Sequence, residues 1–108
     1  MQRWLAVTLR GRMTQAALER FRELLDLRRS GRLTDTEDMR FGSRDLPATP
    51  PNRAALDLWR HDDTLWEARL SYAHEPPPPE LVARIRSAIL SAAAEVGLSV
   101  ERVRQPPD

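Results

Sequence analysis

Two histidines are the only side chains of the 108-residue chain that titrate near neutrality, and each has acids beside it: His61-Asp62-Asp63 and His74-Glu75. A histidine next to carboxylates can hold a metal ion or act as a general base. These two are 13 residues apart on what reads as one hairpin arm. At about 3.3 Å per residue, that separates them by on the order of 40 Å, too far to share a metal within one chain. His61-Asp62-Asp63 reads first as a polar turn, and His74 would need a closed pocket that the sequence does not supply. We therefore expect no catalytic residue, no metal ligand and no cofactor site. The chain has no cysteine, which excludes disulfides, thiolate zinc sites and a cysteine nucleophile and suits a reducing compartment.

Anion chemistry has one candidate position. Gly11, Gly31, Gly42 and Gly97 are isolated, so no glycine-rich phosphate loop exists, and only Arg10-Gly11-Arg12 could bring backbone amides and guanidinium groups together. An acylphosphatase-type loop needs a second glycine and an aromatic–arginine pair close behind, which Met13 to Leu18 lacks. All 17 basic residues are arginine and 16 residues are acidic, for a formal net charge of +1. With a single asparagine and many alanines and prolines, this reads as GC-rich coding. Residues 1–60 hold 12 arginines against 8 acids and residues 61–108 hold 5 against 8, an asymmetry that solvated faces account for. Near-neutral charge removes the long-range attraction on which nucleic-acid binding leans, so nucleic acid is the least favoured partner.

The longest apolar run is Trp4 to Val7, far short of the roughly 18 residues of a membrane span. The start of the chain also lacks the pattern of a signal peptide. We expect no membrane partner and a cytoplasmic location.

Hydrophobic periodicity supplies the elements. Arg3 to Arg10 alternates as a strand, with Leu5, Val7 and Leu9 on one face. Thr14 is a candidate N-cap for a helix from Gln15 to Arg29, with Gly31 as its stop. Ser30 to Arg53 is polar and proline-bearing and reads as a long loop, with Met39 and Phe41 able to pin it as a short strand. Ala54–His61 and Leu65–His74 alternate as a hairpin. Its loop should be of odd length, so that Leu58 pairs with Trp66 or Ala68 and the apolar sets share a face. Pro76 to Pro79 leads into a helix from Glu80 to Val96, stopped by Gly97. Leu98–Arg104 forms a last strand before a disordered tail, Gln105–Asp108. This order predicts one α+β domain over residues 1–104, a ferredoxin-like βαββαβ arrangement with a four-stranded antiparallel sheet and two helices on one face.

With the alternating apolar set turned to the helices, Trp4, Trp59, Leu65 and Arg69 share the uncovered face. Two tryptophans there form a patch suited to burial. The leading expectation is a non-catalytic protein–protein interaction module, an accessory, inhibitor or immunity-type protein. It would self-associate as a homodimer or bind a protein partner through those four residues, with Arg69 first a cross-strand ion-pair member. The alternative is a dimeric α+β-barrel enzyme or binding protein for a small apolar molecule, its cavity lined by Trp66, Tyr72 and His74. Trp66 and Tyr72 read as core residues first. RNA-recognition domains share the predicted topology, but Leu65 to Tyr72 lacks their basic-glycine-aromatic signature.

Overall fold

The computed structural model describes residues 1–31, 33 and 39–105. The elements run β1 (Gln2–Arg10), α1 (Gln15–Leu24), β2 (Arg28–Arg29), β3 (Arg40–Leu46), β4 (Arg53–Asp62), β5 (Leu65–Ala73), α2 (Pro79–Glu95) and β6 (Ser99–Arg104). All strands join one antiparallel sheet of six, in the order β2-β3-β4-β5-β1-β6. The four-stranded ferredoxin-like sheet expected from the sequence is therefore overturned. The class is α+β, and two further strands, β3 and β2, extend the sheet beyond β4.

Both additions have a local cause. Helix α1 opens as expected, with the Thr14 hydroxyl accepting from Ala17 N–H at 3.1 Å. It stops well before Arg29, because Asp26 turns left-handed (φ 54°). Leu27 N–H then donates to Arg22 C=O and Asp26 N–H to Glu23 C=O, at 2.8 and 3.2 Å. This double closure satisfies carbonyls that the helix end would otherwise leave orphaned. Arg28 and Arg29 are thereby freed to pair with Ser43 and Gly42 of β3. Strand β3 itself lies inside the segment read as a long loop. Its neighbours at 32 and 34–38 lie outside the described residues, as does the expected tail from 106 onward.

The hairpin of β4 and β5 pairs Leu56 with Leu70 and Leu58 with Ala68, which keeps the apolar sets on one face. The odd offset arises without an odd loop. Asp62 pairs with Leu65 across a two-residue turn, and a shift between Arg60 and Asp62 absorbs the extra residue at His61. Leu5, Val7 and Leu9 of β1 continue those rows opposite Leu70, Ala68 and Trp66. Leu18 and Phe21 of α1 and Val82, Ile85 and Ile89 of α2 close over them in one core. Helix α2 ends as α1 does, with Gly97 left-handed (φ 80°) and Leu98 N–H on Ala93 C=O at 2.8 Å. No helix among the described residues is long and apolar enough to cross a membrane.

Trp66 is 1% exposed, packs edge-on against Phe41 with ring centroids 5.3 Å apart, and donates its indole N–H to Gly11 C=O at 3.1 Å. Truncating a buried aromatic typically costs about 3–5 kcal/mol. We expect Trp66→Ala to lower the unfolding free energy by about that amount in urea titrations. A loss below about 1 kcal/mol would show that Trp66 is not part of the supporting core.

Candidate functional site

Both helices pack on the face that carries Leu5, Leu58 and Leu70, and no helix among the described residues covers the other. On that second face the alternation of β4 and β5 places Asp57 and Trp59 beside Glu67 and Arg69. The pairings Asp57 with Arg69 and Trp59 with Glu67 lock them into adjacent rows. The Arg69 guanidinium lies 4.8 Å over the Trp59 ring and its Nε donates to Glu67 Oε1. Oε2 of Glu67 faces His61 Nε2 at 3.8 Å. Glu67 is 9% exposed, a carboxylate buried on an otherwise open face because Arg69 and Trp59 lie across it. The Trp59 indole N–H is also shut off from solvent and has no acceptor among the described residues. Burial raises the Asp57 carboxyl above its ordinary pKa, and the arginines Arg40 and Arg69 oppose that rise.

Of the four residues expected to share this face, the structure joins Trp59 and Arg69 directly and sets Leu65 one step further along β5. The Arg69 partner is Glu67, two residues away on the same strand, while Asp57 lies across from it. Trp4 stands apart. The pairing of β1 with β5 shifts between Arg3 and Leu5, so Trp4 occupies a bulge, half-buried and edge-on to Tyr72 at 5.4 Å. Across two strands and four residues, that puts Trp4 on the order of 15 Å from Trp59.

The three residues of the alternative cavity are not gathered into one space. Trp66 is locked in the core near Gly11. Tyr72 is six residues further along the same strand, against Trp4. His74 is exposed just past the strand end in a left-handed conformation (φ 76°).

In the Arg10-Gly11-Arg12 corner, Arg10 and the Gly11 amide are committed to the fold. Arg10 pairs with Glu101 at 2.9 Å, and the Gly11 amide donates to Thr64 C=O at 2.8 Å. In the turn beside His61, an Asp62 oxygen accepts from Thr64 N–H at 2.8 Å, which holds that carboxyl below its usual pKa. Among the described residues, no group of three or more acids or histidines could hold a metal ion.

Sequence reasoning passed over two groups. Glu67 alternates with the apolar residues of β5 and so falls on the open face, but its residue type gives no sign that it is buried there. Arg3, Arg102 and Arg104 line a groove of about 220 Å³ with Trp4, Ala6, Thr8 and Glu67 where β1 meets β6. The pairing of Thr8 with Arg102 and Ala6 with Arg104 shows why: both arginines fall on the open-face rows. Only the register of β6 against β1 reveals this, and sequence alone does not give it. Comparison with protein-family models, with curated proteins and with solved structures returned no match.

The Asp57 environment has a pH signature. Its folded pKa is raised, so the folded state holds that proton more tightly than the unfolded chain does. Its contribution to stability is fully present below the unfolded value near 3.8 and declines as pH rises through the folded value. Asp57→Asn removes this decline. Urea denaturation at about pH 3 and about pH 6 should therefore show the variant gaining on the native protein at the higher pH. An unchanged difference between the two pH values would contradict the burial assigned to Asp57.

Proposed function

We propose that the chain is a non-catalytic protein-interaction module that receives a partner protein on its uncovered sheet face, in the cytoplasm. The observation that carries this reading is the assembly of Trp59, Glu67 and Arg69. A tryptophan, a buried carboxylate and a guanidinium are packed into a rigid, preformed platform on a face that no helix covers. Tryptophan and arginine are the residue types that most often anchor protein contacts. An indole N–H with no acceptor is a donor that a partner's carbonyl can satisfy once the ring tilts.

The same face favours a different chain over a second copy. Its rows carry Arg3, Arg10, Arg28, Arg40, Arg53, Arg69, Arg102 and Arg104 against Asp45, Asp57, Asp62 and Glu67, a net positive face. Stacking two such faces brings like charge to like charge, which costs affinity. A partner with an acidic contact surface matches it.

Site-specific photocrosslinking tests this reading. A photoreactive side chain placed at Ala55 or Ser71 on the open face should capture a discrete protein in the native cell. The same group at Arg84 or Ser91 on the exposed side of α2 should not, and Arg69→Ala with Trp59→Ala should abolish the open-face adduct. Adducts formed equally from both sides, or only from α2, would refute the assignment of the face.

A further inference from the structure

We infer that strand β6 is a docking edge for an extended peptide segment in which acidic and apolar residues alternate. This inference rests on the reading of the chain as a protein-interaction module and names the chemistry of its partner.

Strand β6 is the last strand of the sheet and all six of its residues are exposed. Its outward backbone groups are thus open to another strand, as in strand addition to a sheet edge. The two sides of β6 differ in character. On the open-face side, Arg102 and Arg104 pair with Thr8 and Ala6 and have no ion-pair or hydrogen-bond partner among the described residues. Arg3 is likewise unpartnered. It sits on β1 opposite Ser71, one two-residue step beyond the Ala6–Arg69 pair and one strand inward from Arg104, so it flanks Arg102 and Arg104, which are themselves about 7 Å apart. Acidic side chains at alternate positions of an extended chain recur at the same interval. The acids nearby do not compete for these arginines. Glu67 is held by Arg69, and Glu101 by Arg10.

On the helix side, Val100 and Val103 pair with Leu9 and Val7 yet remain 42% and 39% exposed. They are the largest apolar side chains left uncovered within any strand among the described residues. The intervening residues of an added strand would cover them. Arg102, Val103 and Arg104 alternate between the two sides, so a strand that covers Val103 and meets both arginines alternates apolar with acid; the shift between Thr8 and Leu9 places a bulge at Glu101, and Val100 lies beyond it.

Two other occupants fit less well. A second copy pairing antiparallel about a two-fold at the middle of β6 would set Glu101 against its own counterpart, or Arg102 against its own, and like charges directly opposite are unfavourable. Single-stranded nucleic acid needs exposed aromatic faces for stacking. Here the Trp59 ring is covered by Arg69, and Trp4 is half-buried against Tyr72.

Fluorescence anisotropy decides the matter with a labelled peptide of about ten residues alternating glutamate and valine. Controls are a peptide of the same composition with its glutamates in one block, and oligothymidine. The alternating peptide should bind, the block peptide should bind more weakly, and Arg102→Glu with Arg104→Glu should weaken binding about tenfold or more. Thermal melting establishes that the double variant folds, and Arg104→Gln alone, with a smaller loss in the same direction, serves if it does not. No binding, equal binding of both peptides, no effect of the charge changes, or displacement by oligothymidine would each overturn the inference. Photocrosslinks from Ala55 or Ser71 that persist in the absence of peptide binding would leave the open-face reading standing and remove only the docking edge.

Discussion

The fold turns on one buried indole. Trp66 must be shielded from water to contribute its large apolar surface, and its N–H must then find an acceptor inside the protein. The Gly11 carbonyl supplies it, which ties β5 to the corner between β1 and α1. The Phe41 ring meets the same indole edge-on, which ties in β3. Arg60 then lies 4.6 Å over the Phe41 ring and donates to Leu33 C=O, which ties Leu33 to the same cluster. The six-stranded sheet is a consequence of this chain of contacts. Phe41 brings β3 into the same core as Trp66, and β2 pairs onto β3 in turn.

That arrangement also decides where function can reside. Both helices are needed on the Trp66 side, since Leu18, Phe21, Val82 and Ile89 all close over the same rows. An antiparallel sheet tolerates one solvated face, and this one dresses it with long side chains. Arg69 spreads across Trp59 and Glu67, so the face is neither a bare apolar patch nor a loose charged surface. Its side chains are held in position before any partner arrives, which lowers the ordering cost of association.

Much of this could be read from the chain. The alternation of Leu5, Val7 and Leu9 and of Leu56 and Leu58, the N-cap at Thr14 and the stop at Gly97 all follow from local chemistry that tertiary structure leaves in place. Strand β3 was legible only as a short strand at Met39 and Phe41, because Gly42 and Arg44 stand at helix-side positions between Phe41 and the buried Leu46. Gly42 is there because a Cβ would meet Leu27 Cβ at 2.9 Å. Arg44 is there because its guanidinium reaches the Leu25 carbonyl at 3.0 Å, just past the end of α1. Close approach and helix capping replaced the hydrophobic period, so the periodic signal vanished. The neighbours of Trp4 were hidden for a related reason: a single bulged residue changes what a side chain meets, and bulges leave no reliable mark on composition. The left-handed Asp26 hid the true end of α1 because aspartate adopts that conformation less readily than the glycine expected at Gly31.

The two edges of the sheet show how charge is deployed. Each ends in a pair of arginines, a common way to discourage strands from adding at random. At the short β2 edge both are engaged, Arg29 with Glu19 and Arg28 with Asp45 at 3.8 Å. At β6 Glu101 is taken by Arg10, which leaves Arg102 and Arg104 without a counter-charge among the described residues. Exposed ion pairs contribute little to stability, so pairing the β6 arginines would have gained the fold almost nothing. Leaving them free costs the fold equally little and keeps a directional positive field along a six-residue edge. The difference between the edges is therefore one of selectivity: the same residue type closes the sheet at β2 and leaves it open, to one charge pattern, at β6.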